Sequence, residues 1–213
     1  MRLTRTAVAF STAIVLIAAS VLGVVLLPWP SHVALTSAGS SQLLGTSPTQ
    51  ARLWSDATIH RLLFGGSFET ITGPRRAPFY APSEASHLGD VRIHLYILLS
   101  AALLGLIVIG LGLWRTRDRQ AMWHASVRGA WGVIIGVMVL IAVGMINFNS
   151  GFVWFHKILF PEGDYAFAPT SNLISLYPDP FWEVLGIYLG VFLAVLACLV
   201  WLVEIFTRKP TPT

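Results

Sequence analysis

HLYILLSAALLGLIVIGLGLW, residues 94–114, contains no Asp, Glu, Lys or Arg. About 20 predominantly apolar residues, wound as a helix, cross the roughly 30 Å hydrocarbon core of a bilayer. Three more runs pass the same test, at about 7–27, 129–148 and 184–206. Only the last carries a charge, Glu204 in its final turn beside Arg208 and Lys209. The composition agrees: 55% of residues are hydrophobic and 11% charged, against roughly 25% charged in soluble domains. The expected fold is all-α and membrane-integral. Four transmembrane helices carry an outward-facing cap of loops, a short amphipathic helix and a small β-hairpin. In residue numbers this is one membrane domain over 1–213, with helices at about 7–27, 84–114, 129–160 and 180–207 and outer loops at about 28–83 and 161–179.

Other features narrow the class. No P-loop or dinucleotide fingerprint is present, so no nucleotide is expected. The net charge of +4 is modest, and its arginines flank apolar runs. That reads as topology rather than as a nucleic-acid surface. The first run is too long for the 7–15-residue apolar core of a signal peptide and is expected to stay as an anchor. The lone Cys198 allows no disulfide within the chain and suits a small apolar filler in the fourth helix.

Orientation follows from the basic residues. Arg2, Arg5, Arg115, Arg117, Arg119, Arg128, Arg208 and Lys209 lie beside one set of helix ends. The opposite loops hold Arg52, Arg61, Arg75, Arg76, Arg92 and Lys157 together with eight of the ten acidic residues. The positive-inside rule therefore predicts a multi-pass protein of the cell membrane with both termini cytoplasmic and the longer loops outside.

The outer segments carry pattern of their own. Residues 48–64 read as an amphipathic helix lying in the interface, with Leu53, Ala57, His60 and Phe64 on one stripe and Trp54 at its edge. Gly65-Gly66 breaks it, and 67–72 with Phe79-Tyr80 would pair as the hairpin around Gly73-Pro74-Arg75-Arg76. The segment 36–49 reads as a Ser/Thr-rich loop. The second spanning helix starts early, with Ser83 as N-cap and Glu84 in its first turn. From there to Trp114 it runs about 46 Å, so its first turns project outward. On that projection His87, Asp90, Val91 and His94 share one face, where Asp90 is placed to orient His87 or His94. Beyond the third run, His156 follows Asn149 at i+7. Asp179-Pro180 opens the fourth helix.

Two histidines on one membrane face suit acid–base chemistry. Several of the residues named also have plain readings. Trp29, Trp54, Trp154, Trp182 and Tyr188 suit an aromatic belt. Asn147 and Asn149 suit helix-to-helix hydrogen bonding, and His32, His60 and His124 suit structural or solvated roles. His94 with a second histidine could ligate haem or a metal between helices, and His87, Asp90 and His94 could hold the zinc of a membrane hydrolase.

The stretch Glu84-Ala85-Ser86-His87-Leu88-Gly89-Asp90-Val91-Arg92 resembles a motif of the bacterial lipoprotein intramolecular transacylases, the Lit family. The second signature of that family is matched by Phe155-His156-Lys157-Ile158-Leu159-Phe160, then Gly163-Asp164, then Leu173-Ile174-Ser175-Leu176-Tyr177-Pro178 ahead of Phe181-Trp182. The chain departs from it at Tyr165, where the family often has Trp, and at Asn172, where it often has Asp. The resemblance implies an enzyme, an acyltransferase acting on a diacylated lipoprotein within the phospholipid bilayer. It would move the sn-2 acyl chain of a diacylglyceryl cysteine to that cysteine's own α-amino group, leaving a lyso-form lipoprotein. It further implies His87 and His156 as the acid–base pair, with no metal and no cofactor. Asp90, Asn149, His94 and Asn172 would support them, and Trp154, Tyr177 and Trp182 would contact substrate.

Overall fold

The computed structural model describes residues 2–116, 118–146, 148–161 and 166–207, without the side chains of 140–149. Nine α-helices are found among the described residues: α1 (Arg2–Leu26), α2 (Pro28–Ser37), α3 (Ser40–Leu43), α4 (Pro48–Phe64), α5 (Pro82–Arg115), α6 (Arg119–Ile146), α7 (Phe148–Leu159), α8 (Asn172–Leu176) and α9 (Asp179–Thr207). Four of them, α1, α5, α6 and α9, are long and apolar enough to cross a membrane. The third begins at Arg119, ten residues before the apolar run expected to start it. A helix keeps its own backbone hydrogen bonds on leaving the hydrocarbon, so the end of the apolar run does not end it.

The described chain forms two compact units. Residues 2–23, 97–142 and 189–207 make up the first, and 24–96 with 143–188 the second. The first is a helical bundle with a thin apolar seam of Leu16, Ala130, Val133, Leu193 and Ala197, and a second cluster of Val8, Met122 and Ala125. Small residues set its spacing. A Cβ on Gly129 would overlap the main-chain carbonyl of Ala9, and one on Gly112 would come within 2.9 Å of Val8. Close backbone approach at glycine is how membrane helices gain contact when lipid offers no hydrophobic contrast. Polar pairs hold one end of this bundle: Arg5 with Asp118 at 3.1 Å, and His124 Nδ1 with the buried Glu204 at 3.1 Å. Leu103, Leu104, Ile135, Val191 and Val195 point outward, as lipid-facing residues do.

The second unit has a true core, built from Ala34, Leu35, Trp54, Phe68, Phe79, Tyr80, Leu88, Leu176, Tyr177 and Phe181 among others. Helix α4 has its expected extent, capped by the Ser47 side chain and ended at Gly65, whose φ of 86° a side chain would resist. The face that packs on the core is the one opposite the Leu53–Phe64 stripe. Ala51, Trp54, Ser55 and Thr58 are buried, whereas Leu53 and Phe64 are 56% and 71% exposed. The buried hydroxyls explain the choice. Thr58 bonds the Tyr80 hydroxyl at 2.7 Å, Tyr177 donates to Ser55 at 3.1 Å, and Ser55 meets Ser31 at 3.1 Å. Burial pushes the Tyr177 phenol up to about 12 and raises that of Tyr80, so both stay protonated donors.

The expected hairpin is replaced by two short 3-10 turns, Phe68–Thr70 and Pro74–Arg76, closed by one antiparallel bridge between Thr72 and Pro78. Pro74 and Pro78 lack the N–H that a longer ladder needs. The segment read as a Ser/Thr-rich loop contains the end of α2 and all of α3.

Candidate active site

Helix α5 spans 34 residues, about 51 Å at 1.5 Å per residue, so its N-terminal turns extend beyond a bilayer's hydrocarbon. Those turns belong to the second unit and begin at Pro82, not at the expected Ser83 cap. Proline at the first helical position and Glu84 at the third make the start. The Glu84 carboxylate accepts the Ala81 N–H at 2.7 Å, half of a capping box. Its other oxygen accepts the Leu173 N–H at 2.9 Å, tying α5 to α8. Glu84 is 2% exposed. The Leu173 partner is 89 positions away in sequence, so no local signal marks the tie.

One turn further along α5 stands His87, 6% exposed. Helix α7 supplies His156, and the two imidazoles lie 6.3 Å apart between centroids with planes at 27°. Both residues are in the second unit. Aromatic rings surround them: Phe160 at 4.7 Å and Phe167 at 5.5 Å from His87, and Phe152 at 3.9 Å from His156. Phe160 also meets His94 at 5.0 Å. His87 is buried among these rings and His156 is half-buried.

The tautomer of His156 follows from its partner. Its Nδ1 lies 2.8 Å from the Phe152 carbonyl oxygen. A carbonyl only accepts, so in the neutral ring Nδ1 carries the hydrogen and Nε2 is the basic nitrogen. Helix α7 is not one of the four spans, and burial lowers the His156 pKa from 6.5, opposed by the Phe152 hydrogen bond. The ring is therefore neutral at pH 7. His94 repeats the geometry, with Nδ1 2.9 Å from the main-chain carbonyl of Asp90.

The remaining expected residues divide. Asp90 is half-buried, one turn beyond His87. Asn172 opens α8, and its Nδ2 donates to the Phe79 carbonyl. Trp182 is joined to the histidines through Phe152, 6.4 Å from it, and its indole N–H donates to the Tyr177 carbonyl at 3.0 Å. Tyr177 lies in the core with its hydroxyl given to Ser55. Trp154 is on the exposed side of α7 with Phe155 and Ile158. The side chain of Asn149 lies outside the described residues, as do Asn147, Gly163, Asp164 and Tyr165. Among the described residues no three His, Cys, Asp or Glu side chains form a metal-ligand set, so His87, Asp90 and His94 are not arranged as the zinc reading needs.

Four helices long and apolar enough to cross a membrane define a polytopic membrane protein. The chain belongs to the lipoprotein intramolecular transacylase Lit family, whose model matches residues 6–182. It is similar in structure to the membrane-integral lipoprotein intramolecular transacylase Lit from Bacillus cereus. The TM-score is 0.80 at 19% identity, over 96% of this chain and 94% of that one. Two forms of the same protein with a histidine replaced, by arginine and by alanine, each give a TM-score of 0.76 at 20% identity. They cover 96% of this chain and 90% and 92% of theirs. At this identity the likeness establishes the fold. No curated protein matches the chain in sequence.

Proposed function

We propose that the chain transfers the sn-2 acyl group of a diacylglyceryl-cysteine lipoprotein to the α-amino group of the same cysteine, with His87 and His156 moving the protons. The observation that carries this is the 6.3 Å pairing of the two imidazoles inside an aromatic enclosure. A separation of that size lets both rings touch one reacting group.

The α-ammonium of a cysteine titrates near 8 and is mostly protonated at neutral pH. It must lose a proton before its nitrogen attacks. His156, neutral and with Nε2 as its basic nitrogen, suits the base role. The amine nitrogen then bonds to the ester carbonyl carbon, and the carbonyl oxygen takes up negative charge. As the tetrahedral species collapses, His87 takes the second proton from the attacking nitrogen and gives it to the glycerol oxygen as the bond from carbon to that oxygen breaks, while the first proton leaves His156 for water. The products are an amide at the N-terminus and a free hydroxyl on the glycerol. Amides lie below esters in free energy, so no nucleotide is consumed. Donor and acceptor belong to one molecule, and proximity substitutes for a nucleophilic serine or cysteine.

Asp90, His94, Asn149 and Asn172 are proposed to hold this arrangement. Trp154 and Trp182 are proposed to meet the substrate, with Tyr177 fixing Trp182 from behind. The site then opens on the outer face of the cell membrane, both termini are cytoplasmic, and the substrate arrives laterally through the bilayer. No metal or cofactor enters this reading. The test is mass spectrometry of a lipoprotein's N-terminal cysteine peptide from a host lacking other N-acylation, with and without this protein. An N-acylated, lyso-glyceryl peptide seen only with the protein supports the reaction. An unchanged diacylglyceryl peptide with a free amine refutes it.

A further inference from the structure

A second polar site lies in the cap, apart from the paired histidines. Helices α2 and α4 enclose an open cleft of about 340 Å³ lined by Trp29, His32, Val33, Thr36, Ser37 and Arg52. Residues 29, 32, 33 and 36 follow i, i+3, i+4, i+7 spacing, so α2 presents one face to it. Arg52 enters from α4.

The polar groups are ordered. The Thr36 hydroxyl donates to the His32 carbonyl at 2.8 Å and accepts from Arg52 Nη2 at 3.3 Å, which aims the guanidinium. The nearby acidic group, Asp56, is engaged with His32 Nε2 at 2.8 Å. Arg52 itself has no carboxylate partner among the described residues, and its Nε–H is buried without a hydrogen-bond partner there. Buried donors are nearly always paired, so this one calls for an acceptor. A guanidinium whose buried Nε–H has no acceptor among the described residues suits a phosphate oxygen.

The position in the chain says where such a phosphate resides. Trp29 follows the end of the α1 span at Leu26 by three residues. An aromatic so placed marks the layer where hydrocarbon gives way to headgroups. Its ring is braced edge-on by Tyr188 at 4.8 Å. Trp29 and Val33 are exposed and form an apolar wall beside the guanidinium. Apolar wall and cation together match a molecule with both an acyl chain and a phosphate.

We propose that this cleft binds the phosphodiester headgroup of a membrane phospholipid, with the phosphate on Arg52 and an acyl chain along Trp29 and Val33. A free phosphate ion shares the anionic chemistry but not the apolar contact. The test titrates the full-length protein in a non-ionic detergent with short-chain phosphatidylglycerol, a diacylglycerol of the same chain length, and inorganic phosphate, read by native mass spectrometry. Phosphatidylglycerol should bind at least tenfold more tightly than either of the others. Arg52→Gln should lose that tenfold preference, and Arg52→Lys should keep part of it. Thr36→Val gives a second variant if Arg52→Gln misfolds, and it should weaken binding severalfold by releasing the guanidinium. Arg76→Gln, at an exposed turn, should leave binding as in the parent. Phosphatidylglycerol binding that survives Arg52→Gln overturns the proposal, as does equal binding of the diacylglycerol or saturation by inorganic phosphate alone. Acyl transfer lost in His87 or His156 variants leaves this lipid binding intact, so the two readings fail separately.

Discussion

Replacing Glu84 with Gln should loosen the N-terminal start of α5 and the candidate site it carries. The carboxylate is buried and accepts two main-chain N–H groups, from Ala81 at 2.7 Å and from Leu173 at 2.9 Å. Gln retains one acceptor and turns an NH₂ toward the other donor. One hydrogen bond to a charged group is lost, worth about 1.5–3 kcal/mol, and a buried donor is left facing a donor. The sum is about 2–4 kcal/mol of stability. For a chain of this size that is a fall of roughly 5–15 °C in the unfolding midpoint. His87 lies one turn along the same face, so acyl transfer should fall with it, and α8 should lose its register against Phe79. The assay is thermal unfolding in detergent by intrinsic fluorescence, beside turnover at a temperature where both proteins are folded. An unchanged midpoint with unchanged turnover would show that the carboxylate is not the strut between α5 and α8.

Other consequences follow from the same geometry. Activity that needs neutral His156 should fall on the acid side with a midpoint below 6.5, because burial lowers that pKa. The unfolded chain then binds the extra proton first, so this group's stabilisation is present above 6.5 and lost as the pH drops through the folded value; a midpoint above 7 in the rate profile would contradict it. Asp90→Asn should lower turnover while membrane levels stay at those of the parent, as immunoblots of the membrane fraction would check. Gly129→Ala should destabilise the α1–α6 contact by about 1–3 kcal/mol, since the added methyl meets the Ala9 carbonyl; a variant as heat-stable as the parent would refute that packing.

The spans were legible because a bilayer imposes one simple rule, length of apolar run, and residues 94–114 and 184–206 obey it. Two motifs in the right order marked His87 and His156, and the fold brings their rings together. The cap was less legible. Its core mixes hydroxyls with rings, so the buried face of α4 carries Ser55 and Thr58 while Leu53 and Phe64 stay outside. Hydropathy periodicity marked the apolar stripe of an interfacial helix and left the hydroxyl-bearing face that packs on the core unmarked. Helices α2 and α3 fall within the expected outer loop 28–83, where Ser31 and Ser40 are buried and bonded, Ser40 to the Leu176 carbonyl at 2.8 Å. Contacts of that kind, like Glu84 with Leu173, join residues far apart in the chain and leave no local trace. The Nδ1 bond of His156 to Phe152 is local, at i−4, and helical spacing alone would have revealed it.

The most direct test of the central claim is the lipid state of a lipoprotein's N-terminal cysteine peptide in cells carrying His87→Ala, His156→Ala or both. Each single variant should lose conversion to the lyso form while its membrane level holds, and the double variant should be little worse than either. Residues that share one proton-transfer sequence are non-additive. Conversion in the parent should withstand chelators. Near-parental conversion by either single variant would remove that histidine from the mechanism, and loss on chelation with recovery on added zinc would contradict histidine-only catalysis.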